Sequence, residues 1–200
     1  MNSGLTSERV YETLKRRLLD NEFRPGERLE PALLADGVAS SVTPVREALN
    51  VLTGERLLDA RSGGGFYVPP LDQPGLSDLY AWNSDVLGVA VRAWPPGTIV
   101  VTPPLAGDDA PFAIRRCFAA LAEASHNPEH GAALDRLSDR LNAVRRVELI
   151  IVGDPAAALG DIGAAASRGD RRTLARLLVA FHRVRVRQAA AIVRQLYRHG

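Results

Sequence analysis

Apolar residues at helical spacing in three short segments fill the first quarter of the chain, and they restrict its fold more than any other feature. Val10, Leu14 and Leu18 recur every four residues and predict one buried stripe on a first helix. We expect Ser7 to cap this helix and the helix to end near Asn21. A helix of this kind needs partners that cover the stripe.

Two shorter helical segments follow, and prolines mark where they begin. After a Pro-Gly turn at residues 24–27, one helix is predicted from about Pro31 to Val38 and another from about Val42 to Thr53, stopping near Gly54. A proline falls in the first turn of each, where its missing N–H has no intrahelical partner. Three helices in succession predict a small bundle.

A glycine-rich turn separates two short extended segments after the third helix. Residues 57–61 and Phe66–Val68 flank the sequence Ser-Gly-Gly-Gly, which predicts a β-hairpin. Pro69 and Pro70 end it. Residues 1–70 therefore predict a winged helix-turn-helix domain with a small β-hairpin wing.

The remaining chain, residues 71–200, predicts an all-α antiparallel helical bundle, so the protein is expected to be mostly α. Helices are predicted over about residues 76–94, 113–125, 127–152, 155–168 and 170–198. Five prolines and two glycines make residues 95–111 an irregular connection. The predicted apolar stripe of the last helix is Leu174, Leu177, Phe181, Val184, Gln188, Ile192 and Leu196.

Composition excludes several classes of protein. Hydrophobic residues make up 46% and charged residues 24%, which is typical of a globular chain. No apolar run reaches the roughly 18 residues of a membrane helix, and the N-terminus lacks the pattern of a secretory signal. A single cysteine, Cys117, excludes an internal disulfide framework. We therefore expect a cytoplasmic protein with no membrane partner.

The third helix predicts an interface with double-stranded DNA. Val45, Leu49 and Leu52 would face the supporting helices, which leaves Thr43, Arg46 and Asn50, together with Val42, on the outer face. The major groove admits one α-helix and distinguishes all four base pairs. Arg46 is the side chain on this face that can clamp guanine or a phosphate with two hydrogen bonds.

Four further residues are expected to meet the sugar-phosphate backbone. Ser41 and the N-terminus of the third helix offer hydroxyl and N–H donors to a phosphate. In the wing, Arg61 supplies charge, and Gly64 and Gly65 let the chain approach a strand closely. Net charge is no guide here, because residues 1–68 carry nine basic and ten acidic residues.

The chain closely resembles the GntR superfamily of bacterial transcription regulators over residues 5–68. The matching strings are Val10-Tyr11-Glu12, residues 24–29 (RPGERL), residues 43–49 (TPVREAL), Leu57-Leu58 and residues 65–68 (GFYV). Residues 120–128 (ALAEASHNP), 168–170 (RGD) and the helix order resemble the FadR-type effector domain in a shortened form. The resemblance implies a homodimer that reads a short palindrome, and an effector-binding and dimerisation role for residues 71–200.

The chain departs from the family at two sets of positions. Arginines or other basic residues usual in the DNA-binding domain align with Val42, Ala32 and Gly64, so the DNA footprint is expected to have fewer charges. The Asp and three His that hold a metal in many FadR-type domains align with Ile114, Phe118, Leu159 and Phe181. We therefore expect no metal or cofactor, and a partly closed pocket or none.

Other polar and aromatic residues favour structural roles. His182 lies one residue beyond an expected ligand position and is interpreted as a core or surface histidine rather than a ligand, and Cys117 as core packing. Trp82 and Trp94 are interpreted as core or dimer interface, with ligand stacking as the alternative. The arginines of the last helix are interpreted as a solvated face with carboxylate partners, or as an anionic-effector or DNA-facing patch: Arg183, Arg185, Arg187, Arg194 and Arg198.

These patterns predict a sequence-specific DNA-binding transcription regulator of a bacterium that acts as a homodimer and is a candidate for control by an acidic small-molecule effector. The alternative is a degenerate regulator that works mainly as a protein-interaction module and binds DNA weakly. An enzyme is disfavoured, because no nucleophile–base set, metal set or cofactor loop is visible in the sequence.

Overall fold

The computed structural model describes residues 3–61, 64–104 and 109–198, without the side chains of residues 3–6. Two compact units divide the chain: one ends at Leu71, and the other spans Asp72–Arg198. Ser62 and Gly63 of the predicted glycine-rich turn lie outside the described residues.

The first unit is built on three helices: α1 (Ser3–Leu19), α2 (Pro31–Gly37) and α3 (Val42–Gly54). The predicted stripe is confirmed at Val10 and Leu14, which are buried in one apolar core with residues of the other two helices, while Leu18 packs at the edge of the same core. Leu34, Leu57 and Leu58 complete the apolar cluster, and each is buried. The core therefore holds α3 by one face against α1 and α2.

The expected cap at Ser7 is wrong, because α1 already begins at Ser3. A serine caps a helix only where the chain before it leaves helical geometry, and residues 3–6 continue the helix. The Ser7 hydroxyl instead donates a hydrogen bond to Oε2 of Glu47, at 3.0 Å. This contact joins α1 to the exposed side of α3.

The wing contains three strands, one more than the sequence predicted: β1 (Arg28–Leu29), β2 (Asp59–Ala60) and β3 (Phe66–Tyr67). All pairs are antiparallel in the order β1-β3-β2, with Phe66 opposite both Leu29 and Ala60. The amide of Val68 donates to the carbonyl of Glu27 at 2.9 Å and extends the β1–β3 pairing. A two-residue strand has too little alternation to be recognised in a sequence.

The second unit contains five helices in the described residues: α4 (Gln73–Arg92), α5 (Ala110–Glu123), α6 (Pro128–Ile151), α7 (Ala156–Ser167) and α8 (Arg171–Leu196). The predicted helix starts at Asn127 and Asp170 are confirmed, since both side chains accept a hydrogen bond from the first turn. Residues 95–104 are irregular, as predicted. The mostly α fold, with a winged helix-turn-helix followed by a helical bundle, is confirmed.

The buried stripe of α8 differs from the predicted one. Val184 and Gln188 are exposed, whereas the buried side chains are Leu174, Leu178, Phe181, His182, Arg185, Ala189 and Ile192. The solvated role assigned to Arg185 is therefore wrong, although the expected carboxylate partner exists: Glu148 of α6, at 2.6 Å. A search for apolar residues at helical spacing does not find this stripe, because one of its members is Arg185, which is buried as an ion pair.

No single helix in the described part of the chain is long and apolar enough to cross a membrane. Helices α6 and α7 meet that test only when taken together, and they are bent by 114° relative to each other.

Candidate nucleic-acid interface

Helix α3 has one face in the core and the opposite face in solvent. Val45, Leu49 and Leu52 have no solvent-exposed area, as predicted. Thr43, Arg46 and Asn50 are exposed, spaced three and four residues apart along the helix. This spacing places the three side chains on one outward face, within reach of a single groove of a duplex.

The N-terminus of α3 is open to an anion. Ser41 is the N-cap residue and has extended backbone geometry, with φ −84° and ψ 165°. Its side chain is exposed and makes no capping hydrogen bond. The first N–H groups of a helix carry partial positive charge and lack intrahelical partners. A phosphate oxygen is a suitable acceptor for these groups and for the hydroxyl.

A polar cluster that the sequence did not indicate anchors the other end of α3. The Tyr11 hydroxyl donates to Oε1 of Glu55 at 2.6 Å, and Nζ of Lys15 lies 3.0 Å from Oε2 of the same carboxylate. Partial burial and then the hydrogen bond to Glu55 raise the pKa of Tyr11. Glu55 immediately follows α3, so the cluster fixes the angle between α1 and α3.

The wing presents an arginine held against an aromatic ring. The guanidinium carbon of Arg61 lies 3.9 Å from the centroid of the Tyr67 ring, which orients the charge while Arg61 remains exposed. Gly64 and Gly65 have φ angles of 83° and 98°, and the Gly64 amide donates to the Arg61 carbonyl at 2.8 Å. The turn thus requires these glycines for its conformation.

Arg28 is a further exposed cation of the wing that sequence reasoning missed. It lies in β1, and its Nε is 3.0 Å from Oε1 of Glu30. A side chain on Gly65 would meet Nε of Arg28 at 3.0 Å, so Arg28 lies close to the wing turn. Arg28 is part of the RPGERL string at residues 24–29. The sequence did not place it at the wing, because the two-residue strand that carries it was not predicted.

The positions that depart from the family pattern lie on the surface. Ala32 is exposed, as are the large apolar side chains of Leu33 and Val42, whose exposed fractions are 73% and 38%. Positions 32 and 42, where the family usually has basic side chains, are therefore still exposed in this protein, but they carry no charge.

The sequence of this unit matches a known family. Residues 6–68 match the family model described as bacterial regulatory proteins, gntR family. The N-terminal unit therefore has the sequence pattern of that family. Over 70 residues the chain is 43% identical to the Nta operon transcriptional regulator of Aminobacter aminovorans, an alignment that covers 35% of this chain and 33% of that protein. The chain thus matches about a third of the length of this curated relative.

Two solved structures share the fold along nearly the whole chain. A GntR transcriptional regulator from Rhodococcus sp. RHA1 superposes with a TM-score of 0.77 at 20% identity, covering 92% of this chain and 97% of that one. E. coli McbR/YncC superposes with a TM-score of 0.65 at 20% identity, covering 96% and 98%. These similarities establish the fold of a GntR regulator, and the FadR-type subfamily stays a prediction.

The positions aligned with family metal ligands are core residues in this protein. Ile114, Phe118, Leu159 and Phe181 are all buried. Phe118 meets Phe181 edge to face, with ring centroids 5.5 Å apart. Among the described residues, no three His, Cys, Asp or Glu side chains are grouped so that they could hold a metal.

The remaining candidates of the helical unit have separate environments. Burial raises the pKa of the Cys117 thiol to about 12, which agrees with core packing. Trp94 is buried and its Nε1 donates to the carbonyl of Leu121 at 2.8 Å, whereas Trp82 is 55% exposed.

A cavity of about 280 Å³ that is open to solvent is lined by the α6–α7 connection and by α7 and α8, including Phe181, Val184 and Arg185.

Proposed function

We propose that this protein is a sequence-specific, DNA-binding transcription regulator that reads DNA through helix α3. One observation carries the proposal: within a GntR-family domain, α3 buries Val45, Leu49 and Leu52 and presents Thr43, Arg46 and Asn50 to solvent. A helix supported in this way fits the major groove, where base edges are accessible. Such a protein acts in the bacterial cytoplasm.

Each exposed residue has a distinct chemical task in this proposal. Arg46 donates two parallel hydrogen bonds to guanine O6 and N7 or to a phosphate, while Thr43 and Asn50 contact adjacent bases. Ser41 and the α3 N-terminus bind a phosphate, and Arg61, Gly64 and Gly65 bring the wing to the sugar-phosphate backbone. Phosphate contacts fix the position of the domain, and base contacts give the sequence preference.

The regulator acts as a homodimer on a palindromic site, and its helical unit responds to a small acidic effector. Two copies related by a two-fold axis place two α3 helices on successive major grooves of one duplex face. Trp82, Val179 and Val184 support dimerisation, since they are exposed apolar side chains of the helical unit. An effector that binds one arrangement of the dimer more tightly changes the DNA affinity.

A second candidate function is a protein-interaction module with weak DNA binding. It is favoured by the apolar or small residues at Val42, Ala32 and Gly64 and by the slightly acidic balance of residues 1–68. Fewer phosphate contacts lower affinity for any DNA and reduce its salt dependence.

Selection of genomic DNA fragments with the purified protein, followed by fluorescence anisotropy on the enriched site, tests the proposal. We expect Arg46→Ala to weaken binding about 10- to 100-fold, because one bidentate base contact is lost. The matched control is Arg56→Ala, an exposed arginine beyond the far end of α3, which should change affinity less than about threefold. Absence of any enriched site, or unchanged binding by a folded Arg46→Ala protein, contradicts the assignment.

A further inference from the structure

Helix α3 begins with an exposed apolar side chain at a position where the family resemblance expects a basic one. Val42 is the first residue of α3, and 38% of it is exposed to solvent. Val45, three residues further along, has no exposed area and lies in the core of the unit. Val42 therefore has apolar surface that the fold leaves available to a partner of the domain.

Val42 lies beside the arginine that is proposed to read DNA. Residues four apart on a helix are neighbours on one side, so the side chains of Val42 and Arg46 share a side of α3. Arg46 is the one basic residue in the sequence of α3, and the outward residues Thr43 and Asn50 have short polar side chains. Val42 thus adds an apolar surface to the N-terminal end of a face that is otherwise polar.

The position of Val42 along the helix matters because the N-terminal residues of a recognition helix are the ones that contact base edges. Four residues of an α-helix rise about 6 Å. Stacked base pairs are about 3.4 Å apart, so Val42 reaches a base about two base pairs from the one reached by Arg46.

The major groove offers a valine side chain one favourable partner. Thymine carries a C5-methyl group there, whereas the other bases present hydrogen-bond donors and acceptors. A valine placed over such a donor or acceptor removes water from it and supplies no hydrogen bond in return, which is unfavourable. Placed over a methyl group, it buries apolar surface on both sides of the contact.

The side chain of Val42 is also well suited to a fixed contact. A β-branched residue in a helix has one strongly preferred χ1 rotamer, so its two methyl groups have the same orientation before and after binding. An arginine at this position would lose much more side-chain entropy when DNA orders it. The substitution therefore exchanges a flexible charged contact for a rigid apolar one.

We infer that Val42 is a specificity-determining residue that contacts the C5-methyl group of a thymine in the major groove. The inference rests on the proposed function, since it requires α3 to enter that groove. It adds a property of the DNA site: each half-site contains a thymine about two base pairs from the position that Arg46 reaches.

The test removes the methyl group from the DNA and leaves its base pairing unchanged. Each thymine of the site selected with the full-length protein is replaced in turn by deoxyuridine, and binding is measured by fluorescence anisotropy. For one thymine in each half-site we expect wild type to bind about fourfold more weakly, which corresponds to one apolar carbon no longer buried. Val42→Ala should bind the thymine-containing site more weakly than wild type does, and it should not distinguish thymine from deoxyuridine at that position.

Two variants provide controls. Val51→Ala removes the same two methyl groups from a residue that is 52% exposed on the opposite side of α3, so it should keep the fourfold loss with deoxyuridine. Arg46→Ala should bind all sites more weakly and keep the same sensitivity to deoxyuridine, because it leaves the valine in place.

The outcomes separate this inference from the proposed function. If wild type tolerates deoxyuridine at every thymine, or if Val42→Ala keeps the wild-type sensitivity, the contact is disproved, while a loss of affinity in Arg46→Ala still supports reading by α3. If no DNA site is selected at all, the proposed function fails and this inference fails with it.

Discussion

At the scale of single residues, polar groups in the interior distinguish this protein from a purely apolar bundle. Glu148 and Arg185 are buried as a pair, with the Tyr80 hydroxyl on the same carboxylate. Ser40 and His182 are different, since each has a buried side-chain atom without a partner. Unpaired atoms of this kind reduce stability, and substitutions at both residues have effects of predictable sign.

Ser40→Ala should stabilise the first unit by about 1 kcal/mol. The hydroxyl oxygen of Ser40 is buried without a hydrogen bond in the turn between α2 and α3, and alanine removes the unsatisfied group. The measurement is the free energy of unfolding in urea. Ser41→Ala is the control, because the exposed Ser41 hydroxyl makes no capping bond, so little change is expected there. A loss of stability in Ser40→Ala contradicts the prediction.

The buried histidine predicts a pH dependence of stability. Burial lowers the pKa of His182 from 6.5 to about 4. The unfolded chain therefore binds a proton at higher pH than the folded chain does. The contribution of neutral His182 is complete above pH 6.5 and is lost as the pH falls from 6.5 to about 4, by a total of about 3 kcal/mol.

His182→Phe should flatten the difference in unfolding free energy between pH 7 and pH 4.5. His126→Gln, at an exposed histidine, serves as the control and should retain the wild-type slope. An unchanged slope in His182→Phe would show that other groups cause the acid sensitivity.

At the scale of elements, α3 and the wing depend on contacts that are distant in sequence. Helix α3 is held near its middle by the bond from Ser7 to Glu47 and at its C-terminal end by the cluster of Tyr11, Lys15 and Glu55. The wing is a three-stranded sheet because β3 pairs with both β1 and β2. Its turn depends on glycines in conformations that other residues rarely adopt.

Gly65→Ala should lower the unfolding free energy by about 1–3 kcal/mol, because alanine is strained at a φ angle of 98°. We also expect weaker binding to the selected DNA site, since the same turn carries Arg61. Circular dichroism with urea unfolding measures the first effect. Gly54→Ala is the control: Gly54 ends α3 and a Cβ there meets nothing within 4 Å, so its stability should be unchanged or slightly higher.

At the scale of the whole molecule, charge is distributed so that it provides little general attraction for DNA. The chain carries 25 basic and 23 acidic residues, for a net charge of +2. Residues 1–68 contribute nine basic and ten acidic residues, so the candidate DNA-binding unit has no excess positive charge. In the proposed DNA complex, affinity then comes from a few well-placed arginines rather than from the summed charge of the unit.

Val42→Arg should increase affinity for random-sequence DNA and steepen the dependence of log K on log salt by about 0.9, which corresponds to one added phosphate contact. Val42 is exposed beside the N-terminus of α3. Val51→Arg adds the same charge at an exposed position of α3, on the opposite side of the helix, and should change the slope less. Equal slopes for the two variants would show that α3 does not approach the duplex through its N-terminal face.

Most of the fold was predictable because helices have strong local signals. Prolines, capping residues such as Asn127 and Asp170, and the stripe of Val45, Leu49 and Leu52 identify the elements from neighbouring residues alone. The outward face of α3 followed from the same stripe. The start of α1, strand β1 and the register of α8 could not be found in this way.

The sequence by itself determined which segments are helical, that α3 has one apolar face, and that Thr43, Arg46 and Asn50 share its other face, because these properties depend on residues within a few turns of each other. Only the tertiary structure decided that Glu47 pairs with Ser7, that Arg28 lies beside the wing turn, and that Tyr80 and Arg185 share the carboxylate of Glu148. Those contacts join helices and strands that are far apart in the chain, and polar side chains brought together by packing leave no periodic pattern in the sequence.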